Sequence, residues 1–151
     1  TTTAVYLQWD TQTGEGADPA AAYVIRLPRQ GLNLKPGSRL VLTLSDASAA
    51  DNPPQEAIDL TVEVVDNLGN TARLPLSSVA YLQPRLMAHI FKASWMSKML
   101  ASEMVFQNFE FALSDFMRSN PALNPVALVE IRLVFDRTPA GTIAVDEVSI
   151  R

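Results

Sequence analysis

Cysteine is absent from all 151 residues, which removes disulfides, thiolate metal sites, iron–sulfur clusters and cysteine nucleophiles together. Redox logic therefore leaves the compartment open. Histidine occurs once, at His89, and a lone imidazole in an apolar stretch is a poor start for a catalytic triad or a metal centre; packing and surface histidines are commoner. The six glycines are scattered. Gly14-Glu15-Gly16 lacks the third glycine and the helix that a phosphate-binding loop needs, and no Gly-x-Ser-x-Gly elbow supplies a hydrolase nucleophile. Basic charge is short as well, with 12 Lys+Arg against 16 Asp+Glu and a formal net charge of −4. No basic stripe exists to displace counterions from nucleic acid. Apolar runs are cut by Lys92, Glu130 or Arg132 well short of the roughly 20 residues of a membrane span. Thr1 to Ala4 lacks the basic and apolar regions of a signal peptide. It reads as a linker remnant, so the expectation is a single module, 1–151, excised from a longer protein.

What the chain has is apolar content, 48% of its residues, enough for one core in a domain of this length. Its dominant rhythm has period two. In Ile58–Val64 every even residue is apolar and every odd one polar, the pattern of a strand with one wet face. Leu40–Leu44 repeats it, and Val129–Phe135 shows it in odd register. Weaker versions lie at Val5–Trp9, Tyr23–Leu27, Ala72–Leu74 and Gln107–Leu113, and the last strand is Thr142–Ile150. Asp66-Asn67-Leu68-Gly69-Asn70 offers residues that tolerate positive φ and predicts a hairpin. Lys35-Pro36-Gly37-Ser38 marks the turn before the third strand. Arg137-Thr138-Pro139-Ala140-Gly141 predicts a second hairpin joining the final two strands. About eight short strands with frequent turns indicate an all-β fold, an antiparallel β-sandwich of the jelly-roll kind, with Leu7, Ile25, Leu42, Leu60, Val62, Phe109, Ile131, Leu133, Phe135, Ile143 and Ile150 in its core.

Two segments depart from alternation. Pro84–Glu103 carries Leu86, Met87, Ile90, Phe91, Trp95, Met96, Met99 and Leu100 with partly helical spacing. Its plain reading is a long connection or short helix on the sandwich; its sharper reading is an apolar patch that docks on a neighbouring domain. Ser114–Arg118 predicts one helical turn with Ser114 as its cap and Phe116 plugging the core. The inward set of the last strand changes parity between Ile143/Val145 and Val148/Ile150. A β-bulge at Asp146-Glu147 would keep both pairs inside.

Acidic residues are the remaining source of chemistry. Asp46, Asp51, Glu56, Asp115, Asp136, Asp146 and Glu147 lie mainly in turns or at strand ends, where solvated carboxylates are ordinary, and no acid–base pair stands out. Loop carboxylates suit calcium better, although no Asp-x-Asp-x-Asp-Gly loop occurs. Sugar binding on a sheet wants exposed rings beside amides or acids. By parity the outward positions supply Tyr6, Gln8, Phe106, Asn108, Glu130 and Arg132, while Trp9 falls on the core side. The ligand-binding candidates are therefore Tyr6, Gln8, Phe106, Asn108 and Arg132.

The second half of the chain resembles the galactose-binding-like jelly rolls. The resemblance rests on Phe109–Phe116, Asn124–Asp136 and Ala140–Val148: a strand running into a Leu-x-x-Phe turn, an Ile-Arg-Leu strand, and a closing Ala-Gly-x-x-x-x-Asp-Glu-Val strand. Ala112 stands where the family has proline, and Glu147 where it has a second aspartate. The resemblance implies a carbohydrate-binding-module-like accessory domain, joined to a secreted bacterial hydrolase and hence secreted or periplasmic. It also implies a structural calcium ion, with Asp146 at the matching position and Asp10 as companion. The expected function is non-catalytic binding of a saccharide or polymer. The alternative is a purely structural domain that packs on a catalytic domain through the patch near 86–100. An esterase or glycosidase acting alone would require two carboxylates or a Ser–His pair converging in a cleft.

Overall fold

The computed structural model describes residues 4–11, 21–28, 34–35, 37–48, 57–88 and 101–151. His89, Asp51, Glu56, the Gly14–Gly16 stretch and 89–100 of the apolar segment lie outside them. Alternating apolar residues produce β1 (Val5–Asp10), β2 (Ala22–Arg26), β3 (Arg39–Asp46), β4 (Thr61–Asp66), β5 (Thr71–Pro75), β6 (Leu86–Ala88), β7 (Ala101–Glu103), β8 (Gln107–Ala112), β9 (Leu128–Val134) and β10 (Ala140–Ile150). Among the described residues one α-helix, α1 (Leu113–Ser119), follows β8, and a 3-10 turn, Leu76–Ser78, follows β5. One antiparallel sheet has the order β1-β10-β3-β8 and the other β2-β9-β4-β5, while β6 and β7 form a separate two-stranded ribbon. Apart from the ribbon, the strand order of the two sheets is that of a jelly roll.

Side chains of alternate parity meet between the sheets. Leu40, Leu42 and Leu44 of β3 and Phe109 and Phe111 of β8 face Val62, Val64, Ile131 and Leu133, all buried in one cluster. Each contributes about 1.5–3 kcal/mol relative to exposure. Leu7, Ile25 and Ile150, expected inside, are partly buried against this cluster. Phe116 of α1 has no exposed surface and packs near Phe111. The Asp66–Asn70 hairpin forms as expected, pairing β4 with β5 and placing Gly69 at φ +84°. The bulge in β10 is also present: its register against β3 slips between Val145 and Glu147.

Four expectations need correction. The run from Ile58 is regular strand only from Thr61; Ile58 makes a single bridge to Leu82. No residue of β4 faces water, because its outward Glu63 and Thr61 are covered by arginine partners. The cap of α1 is Ala112, without a side-chain hydrogen bond, and Ser114 lies inside the helix. Most consequential, β9 and β10 are not a hairpin. They belong to different sheets, so the 135–139 connection crosses one end of the sandwich, where inward residues such as Phe135 need cover from both layers. In the apolar segment, Leu86–Ala88 and Ala101–Glu103 pair as the β6–β7 ribbon, and the part with helical spacing, from Trp95 to Leu100, lies outside the described residues.

Candidate functional site

The five ligand candidates divide between two surfaces. Tyr6, Gln8 and Asn108 lie on the outer face of the β1-β10-β3-β8 sheet, and Phe106 immediately precedes β8. Tyr6 pairs with Ala144, which pairs with Ser45; continuing the β3–β8 register by one residue brings Phe106 opposite Ser45. Tyr6 and Phe106 are 60% and 40% exposed, but Ala144 and Ser45 between them are fully buried. The two rings therefore do not wall an open trough. Asn108 accepts a hydrogen bond from Thr43 at 2.8 Å.

Arg132 lies on the opposite surface, the outer face of the second sheet. Its guanidinium donates to Glu130 at 2.7 and 3.0 Å and to Glu63 at 2.9 Å, and Arg73 also meets Glu63 at 2.9 Å. The hydrogen bond to Glu130 leads in raising its pKa; burial opposes, and Glu63 adds to the rise. This side chain is occupied by carboxylates of its own sheet.

The two calcium candidates are also separated. Asp10 pairs with Ala140 at one end of β10, whereas Asp146 sits in the bulge six residues along the same strand, about 20 Å away at strand rise. They do not fit a shared ion. Among the described residues no cluster of three or more acidic or histidine side chains could hold a metal. The buried carboxylates are instead saturated by the chain. Asp66 accepts from the backbone N–H groups of Leu68, Asn70 and Asn124 and from the Asn70 amide. Asp46 accepts from both the N–H and the hydroxyl of Ser48.

A cleft of about 610 Å³ lies where the β9–β10 crossing meets the segments before β4 and after β5. It is lined by Asp59, Tyr81, Asp136, Arg137, Thr138 and their neighbours. The Ile58–Leu82 bridge brings Tyr81 across from Asp59, and Tyr81 is 52% exposed. Asp59 anchors this end. Its carboxylate accepts from the Leu60 N–H, the Ser77 N–H and the Ser77 hydroxyl at 2.8–3.0 Å, and from Arg137 at 3.4 Å. The Asp59 N–H donates to the Thr138 hydroxyl at 2.8 Å, and the Thr138 N–H returns to the Asp59 carbonyl. Arg137 Nε donates to the Thr61 hydroxyl.

The crossing is pinned from the other sheet by Trp9, whose Nε1 donates to the Thr138 carbonyl at 2.8 Å and whose ring stacks on Phe135 at 4.4 Å. Gly141 permits this: a Cβ there would lie 2.7 Å from Cη2 and Cζ2 of Trp9. The result is a fixed cleft presenting an aromatic face, a guanidinium, a carboxylate and a hydroxyl, which suits a polar ligand with apolar CH faces. Among the described residues no histidine accompanies these groups. A second groove, of about 690 Å³, at the other end of β9 has no aromatic lining.

In the sequence Arg137–Gly141 reads as a turn, Asp136 is one of several solvated carboxylates, and nothing singles out Tyr81. Asp136 beside Arg137 is a signal, but the partners that make it a site, Tyr81 and Asp59, are distant in the chain, Asp59 by 78 positions from Arg137. No protein-family model matches the sequence, and no curated protein does. Among solved structures, the chain is similar to the family 30 carbohydrate-binding module of a cellulosomal cellulase of Clostridium thermocellum. The TM-score is 0.58 at 10% identity, over 98% of this chain and 73% of that one. At that identity the likeness shows the fold, a β-sandwich like that of a carbohydrate-binding module.

Proposed function

We propose that this chain is a non-catalytic module that binds a saccharide in the cleft at the β9–β10 crossing. The observation that carries the reading is the half-exposed Tyr81 beside Asp136, Arg137 and Thr138 on a loop fixed by Asp59 and Trp9. A pyranose CH face would stack on the Tyr81 ring. Its hydroxyls would accept from Arg137 and donate to Asp136. A loop already held in place loses little conformational freedom on binding, which favours affinity without large buried area. The likeness to a carbohydrate-binding module supports the same reading, and service to an attached secreted hydrolase is the natural context for such a module.

Polysaccharide pulldown and titration calorimetry test this. Tyr81→Ala is expected to weaken binding about tenfold or more, the loss of one stacking ring, whereas Tyr6→Ala and Phe106→Ala leave it within about twofold. The reverse pattern would move the site to the sheet face. A second reading rests on the exposed Leu86, Met104, Val105 and Phe106 around the ribbon, an apolar strip suited to packing on an attached catalytic domain. Uniformly negative binding across a broad polysaccharide panel would transfer the assignment to that role.

A further inference from the structure

The charges around the cleft narrow the ligand class. Two carboxylates, Asp59 and Asp136, and one guanidinium, Arg137, line it, which leaves one negative charge in excess. The charge of Arg137 is already offset by the Asp59 carboxylate at 3.4 Å, and its Nε is taken by the Thr61 hydroxyl at 3.1 Å, so it offers N–H donors to a neutral hydroxyl more than a free charge to an anion. Asp136 forms a long ion pair with Arg73 at 3.8 Å, and Arg73 is engaged more closely by Glu63 at 2.9 Å, so the Asp136 charge is only partly offset. The chain as a whole carries the same sign, with a formal net charge of −4.

Building on the saccharide-binding reading, we infer that the cleft accepts uncharged saccharides and rejects those bearing carboxylates, with Asp136 as the discriminating residue. A uronate carboxylate about 5 Å from Asp136 meets a like charge at the water-exposed rim of the protein. A repulsion of that kind corresponds to about a tenfold loss of affinity. The same carboxylate gains little from Arg137, whose charge Asp59 already offsets. A neutral ligand has hydroxyls that both donate and accept, so it satisfies Asp136 and Arg137 together.

The test uses the neutral polysaccharide that binds most tightly and the same polymer after selective oxidation of its primary hydroxyls to carboxylates. The wild-type chain is expected to bind the oxidised polymer at least about tenfold more weakly at low salt. Asp136→Asn is expected to narrow the ratio of the two affinities by most of that factor, whatever it does to each alone. Raising the salt concentration on the wild-type chain gives a variant-free check, since screening relieves repulsion and should narrow the ratio as well. Equal affinity for the two polymers, or a ratio unmoved by both the variant and salt, overturns charge selection while leaving the saccharide-binding reading intact. Absence of binding to every neutral polymer removes that reading, and this inference with it.

Discussion

Asp66 shows how a buried carboxylate can serve the fold rather than a ligand. Burial alone would push its pKa up. The hydrogen bonds from Asn124, from the side chain and backbone of Asn70 and from Leu68 outweigh that, and the net value falls from 3.8 to about 2. Because the folded value lies below the unfolded one, the stabilisation is complete above about pH 5 and is lost as the pH falls toward 2. Its size is on the order of 2 kcal/mol. Asp66→Asn is expected to lower stability by about 1–3 kcal/mol at pH 7, through weakened charge-assisted bonds. Urea titrations between pH 7 and pH 2 should show a flatter acid loss for the variant, and parallel curves would refute the assignment. The sequence marked Asp66 as a turn residue. That it also receives the N–H of Asn124, 58 positions away, was not legible, since nothing local ties the hairpin to that loop.

At the scale of the element, β10 carries the clearest agreement between pattern and geometry. The parity change between Val145 and Val148 required an extra residue, and the register against β3 slips there. Deleting Asp146 should leave a regular strand with Ile143, Val145, Val148 and Ile150 still inward. A loss of no more than about 1 kcal/mol is expected, since no core side chain changes sides. Deleting Ala144 instead moves the inward residues on one side of the cut to the wrong face, with a cost of about 3 kcal/mol or loss of folding. Denaturation curves of the two deletions decide the matter; equal losses would mean that the bulge has no role in register. The sequence suggests a final hairpin because a turn holding Pro139 and Gly141 between two alternating runs looks the same whether the strands pair or separate. The turn residues specify a reversal of direction, not which sheet receives the next strand.

For the whole molecule, the pairing of β1 with β10 and of β2 with β9 closes very long chain segments before the core can form. Loop-closure entropy is then met early and rewarded late, so folding should take milliseconds to seconds despite the modest length. Stopped-flow refolding by tryptophan fluorescence reads this through Trp9, which becomes buried against Phe135. Relaxation in microseconds would contradict it. Long-range pairing also builds the cleft: the β4–β9 pair sets Asp59 beside the 135–139 crossing, the Ile58–Leu82 bridge adds Tyr81, and Trp9 pins the crossing from the other sheet.

Alternation, turn chemistry and the parity break were properties of neighbouring residues, and from them the sequence by itself determined an all-β sandwich, most of its core and its bulge. Which strands share a sheet, which carboxylates are saturated and which polar groups converge were decided only by the tertiary structure. Sheet membership and convergence depend on contacts between residues far apart in the chain, and local periodicity carries no record of them.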